Sequence, residues 1–300
     1  MMTRVMRIDA PAKINLGLEI LGKREDGYHE IRTIMAMIDL ADTLTFTADD
    51  TLADGSLRVD GVDLPSTDNL IVRAHALIGE HLDLPGVRIA VTKRIPMAAG
   101  LGGASADAAA TLLALNELAG EDVPDTELAA MAARLGSDVP FFLDTPVALA
   151  TGTGTDLAPL PNVAGTLVLI TPNVDIPRKT VALYGSLTRE DRSDGATVDA
   201  QVARITNGDP LDPALLGNAF TRPLAIHAPV VTTIRAAMRD AGAPFVALSG
   251  AGPTHYTIVP TRDAADEIAT ALRPLVPSDT QIVIATFRQT PLLLHEGREP

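Results

Sequence analysis

The segment 96–106, Pro-Met-Ala-Ala-Gly-Leu-Gly-Gly-Ala-Ser-Ala, has the composition of a loop that cradles phosphate. Glycines let backbone N–H groups converge on an anion with no Cβ in the way. The run before it, Val87 to Ile95, is β-branched and apolar and carries Lys93-Arg94 near its end. The run after it, Ser105 to Ala119, is built of helix formers, with Leu112, Leu115 and Leu118 at helical spacing. A helix that starts just past the glycines adds unpaired N–H groups and a partial positive charge. A tight strand-to-helix turn with no ligand has the same outline. The two basic residues entering the turn and Ser105 opening the helix favour phosphate.

Other residues could do chemistry beside it. In Pro11 to Leu16 polar and apolar residues alternate, so Lys13 and Asn15 share one face of a strand, either a solvated face or a site wall. Asp138 lies in Gly136-Ser137-Asp138-Val139-Pro140-Phe141-Phe142, between a helix stop and an apolar run. Such a carboxylate is a cap or surface turn, or, facing a cleft, a general base. Gly27-Tyr28-His29-Glu30 follows a charged turn, where a Tyr-His pair either packs a hairpin or stacks a base and bonds its edge. A second glycine turn, Ser249-Gly250-Ala251-Gly252-Pro253, is a simple hairpin or a partner of the first across a cleft. Gly17, Gly22 and Lys23 match part of a phosphate-loop spacing, but the residues between read as strand and Arg24 replaces the magnesium-binding hydroxyl. There is no His-Glu-x-x-His, no Gly-x-Ser-x-Gly and no cysteine, which removes those metal, serine and thiol chemistries.

These residues need a frame. Strands are expected over Met6 to Asp9 and Ile14 to Leu21, broken at Pro11, and two more within Arg32 to Phe46 around Asp39 to Asp42. Helices are expected over Asn69 to Leu82 and from an N-cap at Thr126 to Leu135, closed by Gly136. The second half reads strand (Thr166 to Thr171), helix (Pro229 to Ala241), strands (Phe245 to Leu248 and Thr254 to Val259), helix (Asp263 to Leu272), strand (Gln281 to Phe287). That is a split βαβ pattern, ferredoxin-like. The polar stretch Arg189 to Asp199 reads as a loop, and Pro159, Pro161 and Gly165 mark a boundary.

Three hundred residues suit two domains, and 46% hydrophobic with 21% charged residues is the composition of a soluble globular protein. No apolar run has signal-peptide or membrane length, so a cytoplasmic protein is expected. A net charge of −14 argues against nucleic acid. An anionic small ligand remains open if positive charge is gathered locally. The chain has four lysines, Lys13, Lys23, Lys93 and Lys179, and the last three stand beside an arginine.

Together these residues resemble the GHMP kinases, the superfamily of galactokinase, homoserine kinase, mevalonate kinase and phosphomevalonate kinase. PMAAGLGGASADAAATLLALN resembles the ATP loop and SGAGPT the third motif. PAKINL, GKREDGYHE and LGSDVPFF narrow the resemblance to the branch acting on a cytidine diphosphate-linked methylerythritol, in the non-mevalonate route to isoprenoids. The resemblance spans nearly the whole chain. It implies an α+β fold of two domains: residues 1–160, an ATP-binding unit similar to ribosomal protein S5, and residues 161–300, a ferredoxin-like βαββαβ unit. It implies transfer of a phosphoryl group from ATP, with Mg²⁺, to the 2-hydroxyl of that small-molecule substrate. It also implies a monomer or weak homodimer, with no nucleic acid and no membrane partner.

The resemblance further implies residue roles. Asp138 takes the place of the catalytic base and Lys13 of the lysine beside it. Asn15, Tyr28, His29 and, at a slightly longer spacing after Ile176-Pro177, Tyr184 match the substrate side. Pro96, Met97, Ala98, Ala99, Gly100, Leu101, Gly102, Gly103, Ala104, Ser105 and Ala106 match the phosphate loop, with Asn69 and Lys93 on the adenine side. Ser249, Gly250, Ala251 and Gly252 match the phosphate-proximal turn. Ala98, Ala104 and Ala251 depart from the superfamily's glycine or serine, and the loop keeps its shape if their φ is negative. Ala104 has no hydroxyl, so Ser105 is the local candidate for Mg²⁺. Another small-alcohol kinase of the mevalonate or homoserine type, or a catalytically silent ATP sensor, would share this outline.

Overall fold

The computed structural model describes residues 4–63, 65, 67–120, 123–292 and 294–298. The first unit holds β1 (Arg4–Lys23), β2 (His29–Ala48), β3 (Leu57–Asp60), α1 (Leu70–Ile78), β4 (Val87–Thr92), α2 (Gly103–Ala119), α3 (Asp125–Leu135), α4 (Phe141–Asp144), β5 (Val147–Thr151) and β6 (Asp156–Pro159). The second holds β7 (Thr166–Thr171), α5 (Lys179–Gly185), α6 (Ala196–Asn207), α7 (Thr221–His227), α8 (Val230–Asp240), β8 (Ala247–Leu248), β9 (His255–Val259), α9 (Arg262–Leu272) and β10 (Gln281–Thr286). The last strand, β11 (Leu294–Arg298), returns to pair antiparallel with β1. We propose a division at residues 160/161, in the crossing between β6 and β7.

The first sheet runs β11-β1-β2-β4-β3, with β5 and β6 extending from β2. Two elements expected as pairs of short strands are single long ones. Pro11 does not end β1; a register shift between Pro11 and Lys13, opposite Ala41 and Met37, absorbs it. That same irregularity takes up the polar residues around Asp39 to Asp42, so β2 continues past them with β5 on its first half and β4 on its second. A bulge re-aims a side chain without ending the strand, and just past this one the Lys13 N–H bonds the glycine loop at the Leu101 carbonyl.

The second sheet runs β10-β7-β9-β8, antiparallel throughout, with α8 and α9 packed on one face around Ile234, Met238, Ile268 and Leu272. This is the expected ferredoxin-like order, with α5 to α7 inserted after β7. The polar stretch expected as a loop is instead a 3-10 turn, Arg189–Asp191, followed by the first residues of α6. Thr188 and Asp191 bond each other's backbone there, and Gly195 caps α6 with φ 87. Thr126 lies inside α3, which starts after Pro124 without a side-chain cap.

Two apolar cores meet at the first unit's sheet. One lies between its sheet and α1 to α3; the other joins Ile14, Leu16, Ala99 and Leu101 to Leu167, Leu169 and Tyr256 of the second unit. Through Ala99 and Leu101 the glycine loop is packed against both units, and each fully buried large side chain there contributes roughly 1.5–3 kcal/mol.

Candidate active site

The loop 96–102 and the turn 249–253 meet where the two units join. Ser249 Oγ donates to the Gly100 carbonyl at 2.9 Å, and the Thr254 N–H donates to the Ala99 carbonyl at 3.2 Å. From the other side the Lys13 N–H donates to the Leu101 carbonyl at 2.9 Å. Asn218 Nδ2 fixes the second turn through the carbonyls of Leu248 (3.0 Å) and Gly250 (2.9 Å). Gly100 has φ +81, and a Cβ there would lie 2.8 Å from the Gly252 nitrogen and against the Ser249 carbonyl oxygen. Only glycine permits that approach. Of the three alanines, Ala98 alone does not meet the condition of a negative φ: it sits at φ 54, in the left-handed region, where an L side chain is strained.

α2 begins directly after Gly102, has no acidic residue in its first turn, and is buried along most of its length. Its first N–H groups therefore open toward the loop with the helix dipole behind them. The residues Pro96 to Ser105 line a cavity of about 920 Å³ together with Asn69, Lys93, Asp138 and Lys179. Ala106 lies buried beneath it. The apolar wall includes Val62, Leu70, Met97 and Val181, the last two among the most exposed large apolar side chains of the protein.

Lys93 does not reach into that cavity as a free cation. Its ammonium is paired with Asp42 and with Asp107 (2.7 Å to the latter), while Asp42 Oδ1 also accepts the Arg94 and Ile95 N–H groups at 2.6 and 2.9 Å. Burial opposes the charge of Lys93, but the two carboxylates outweigh it and hold the ammonium above its usual range. Burial raises the Asp107 carboxyl, and the Lys93 ammonium bonded to it pulls the other way. This cluster fixes the entry to the loop. Asn69 caps α1, its Oδ1 accepting the Ile71 N–H at 3.0 Å.

Lys13 is buried; its Nζ donates to Asn15 Oδ1 at 2.7 Å and stands 3.4 Å from Asp138 Oδ2. Asn15 is fixed in turn: its Nδ2 donates to Thr33 Oγ1 at 2.9 Å, and its carbonyl accepts from Tyr256 OH at 2.8 Å. Asp138 sits on the turn between α3 and α4, anchored by the buried Val139, Phe141 and Phe142. Lys13 and Asp138, far apart in sequence, are thus in contact. With Asn15, Tyr184, Phe220, Gly250 and Ala251 they line a second cavity of about 210 Å³. The two cavities share Gly100, Gly102, Asp138 and Lys179 as a common wall.

His29 and Tyr184 pack with ring centroids 4.9 Å apart and planes tilted by 36°, and Phe220 packs edge-on to Tyr184 at 4.9 Å. Burial, with the Asp138 carboxylate near, pushes the Tyr184 phenol up to about 12. Burial, then Lys23 and Arg192, lowers His29, so its ring is neutral at pH 7 and both donates and accepts. Tyr28 is 66% exposed on the turn beside them. Sequence reasoning missed Thr33, Asn218, Phe220 and Asp42, which carry no motif of their own. It singled out Lys179 only for its rarity.

Ser105 lines the larger cavity, and among the described residues its hydroxyl has no protein partner. Among the described residues no group of three or more acidic or histidine side chains could hold a metal by itself. The Ser105 hydroxyl is an oxygen of the kind a hard cation such as Mg²⁺ takes beside water and phosphate.

Against this geometry, known proteins are informative. The descriptions "GHMP kinases N terminal domain" and "GHMP kinases C terminal" match residues 69–145 and 204–276. A 4-diphosphocytidyl-2-C-methyl-D-erythritol kinase of Symbiobacterium thermophilum is 38% identical over 283 residues, covering 90% of this chain and 96% of the relative. The chain belongs to the 4-diphosphocytidyl-2-C-methyl-D-erythritol kinase family of GHMP kinases. The kinase of that name from Chlorobaculum tepidum is 39% identical over 271 residues, 88% of this chain and 93% of its own. A crystal structure of 4-(cytidine 5'-diphospho)-2C-methyl-D-erythritol kinase superposes with TM-score 0.79 at 35% identity, over 94% of this chain and 99% of the other. Homoserine kinase from Cytophaga hutchinsonii shares the fold of this family member, with TM-score 0.72 at 18% identity over 97% of each chain.

Proposed function

We propose that the protein transfers the γ-phosphoryl group of ATP to the 2-hydroxyl of 4-diphosphocytidyl-2-C-methyl-D-erythritol, giving the 2-phosphate and ADP on the non-mevalonate route to isoprenoid precursors. The observation that carries this reading is the Lys13–Asp138 pair, 3.4 Å apart, with Asp138 on the wall shared by the two cavities. The larger cavity has the loop and helix start for a triphosphate, and its apolar wall suits a base. The smaller has the aromatic rings for a second base.

Phosphoryl transfer asks a protein for positioning and for charge stabilisation. Asp138 accepts the proton of the acceptor hydroxyl. The Lys13 ammonium, held by Asn15, stabilises negative charge on the transferred group. The N–H groups of the loop and of the α2 start bind the polyphosphate. Ser105 would hold Mg²⁺, which supplies charge neutralisation on the phosphate oxygens. Tyr28, His29 and Tyr184 receive the cytidine. The net charge of −14 matters little at the reacting centre, because Lys13 and Lys179, two of the four lysines, stand there, while Lys93 is neutralised by Asp42 and Asp107.

ADP release is measured with the cytidine-linked substrate beside mevalonate and homoserine. Turnover with only the first supports the reading; turnover with another alcohol, or none with any, sinks it. Asp138→Asn is expected to keep ATP binding and lower turnover by roughly 10²–10⁴.

A further inference from the structure

Lys179 opens α5 directly after Arg178, whose backbone lies in the left-handed region at φ 47. Its Nζ donates to the Ala98 carbonyl at 2.5 Å and to the Gly252 carbonyl at 2.6 Å. One ammonium therefore holds the loop of the first unit and the turn of the second. Its surroundings are those of a cation that lacks its anion. Lys13 faces Asp138, and Lys93 faces Asp42 and Asp107. Among the described residues, no carboxylate lies within ion-pair distance of Lys179.

The charged and titratable groups lining the two cavities with Lys179 are Lys13 from β1, Asp68 just before α1, Lys93 just after β4, Asp107 from α2, Asp138 from the turn before α4, Arg178 just before α5 and Tyr184 within it; the turn 249–253 contributes none. Burial first, and then the charge of Lys13, lower the Lys179 ammonium to about 8. A half-buried cation beside another cation is unfavourable unless something compensates it. Two carbonyls do so in part. An ammonium has three N–H groups, and two are committed to them, leaving one for a ligand oxygen. Lys179 also borders both cavities, at the wall where the nucleotide's last phosphoryl group and the acceptor must meet.

We propose that Lys179 binds the terminal phosphoryl group of the nucleotide, donating its third N–H to a phosphoryl oxygen while the Ala98 and Gly252 carbonyls fix its position. The proposal rests on the kinase reading above, but the contact does not depend on which alcohol is phosphorylated. In the transfer the bond from the γ-phosphorus to the β,γ-bridging oxygen breaks, and one to the acceptor oxygen forms. The acceptor proton passes to Asp138 and Lys179 keeps its own.

Equilibrium binding of ATP and of ADP to the full chain, with wild type, K179M and K179R, tests this, together with ADP release across pH. K179M is expected to weaken ATP by roughly 10- to 100-fold, the worth of one charge-assisted hydrogen bond, with ADP little changed, and K179R to recover most of the loss. Because the protonated form is the competent one, kcat/KM for ATP in wild type falls as pH rises through about 8, and in K179R that fall disappears. Equal weakening of ATP and ADP, or no weakening of either, overturns the proposal. If K179M does not fold, K179R decides: an alkaline fall that persists there overturns it. A wild-type protein inactive on the cytidine-linked substrate, with ATP-over-ADP discrimination lost in K179M, would defeat the substrate reading and leave this contact standing. An active wild type with an indifferent K179M would do the reverse.

Discussion

Tyr184 stands between His29 and Phe220 with a neutral phenol, so its contribution to ligand binding is a ring face, not a charge. Stacking of a base on such a ring is worth about 1–3 kcal/mol. Tyr184→Ala is therefore expected to raise KM for the cytidine-linked substrate by roughly 5- to 150-fold and leave KM for ATP near wild type. Tyr184→Phe should behave as wild type in the same steady-state assay. Equal increases in both KM values would remove the ring from cytidine recognition. Ala98 makes a different argument. Its φ of 54 places a methyl-bearing residue where glycine is at ease. Ala98→Gly should stabilise the protein by about 1 kcal/mol, the left-handed penalty less part of glycine's entropy, read as a higher urea midpoint. A lower midpoint would mean that the loop is not strained there.

The loop and the turn act as one element because backbone meets backbone at Gly100. Gly100→Ala adds a Cβ 2.8 Å from the Gly252 nitrogen, so the two turns must separate and the Ser249 to Gly100 hydrogen bond is lost. The expected result is a drop in stability of about 1–3 kcal/mol together with loss of most turnover. Full activity at a lowered melting temperature would show that the catalytic geometry tolerates the separation. This juncture was only half legible in the sequence. The glycine spacing, the basic residues before it and the helix after it carry local signals, and so do the alternating apolar residues that put Lys13 and Asn15 on one face. What joins the pieces is long-range. Nothing near Asn218 announces that it bonds the carbonyls of Leu248 and Gly250, and Asp42 becomes the partner of Lys93 only through β2 pairing. Pro11 and Asp39 to Asp42 are turn residues by type, yet an irregular register absorbed both, because pairing along the rest of β1 and β2 outweighs a local preference. Residues 189 to 199 read as a loop because they are polar; exposed short helices with hydrogen-bonded caps have that same composition.

At the scale of the whole molecule, acid stability is set partly by a residue away from the catalytic wall. His255 lies in β9, with its ring buried and Nδ1 3.0 Å from the Pro253 carbonyl. Burial, and then Arg235, lower it to about 4 from a usual value of 6.5, with the Pro253 bond opposing them. Below 6.5 the unfolded chain takes up a proton that the folded chain refuses, so stability falls with falling pH. The contribution is whole above pH 6.5 and is lost progressively down to pH 4, a total of about 3 kcal/mol. The carboxylates add their own acid losses, so wild type alone does not isolate the histidine. His255→Asn removes the titration and can still donate toward the Pro253 carbonyl. Urea unfolding at pH 7 and at pH 4.5 should then show a smaller drop between the two conditions for the variant than for wild type. The difference should lie in the second unit, whose sheet contains β9, and be seen as amide protection of β7, β9 and β10 lost at pH 4.5 in wild type and retained in the variant. Parallel drops for the two proteins would mean that His255 is protonated in the folded state, and acid sensitivity would then have to come from the carboxylates of both units.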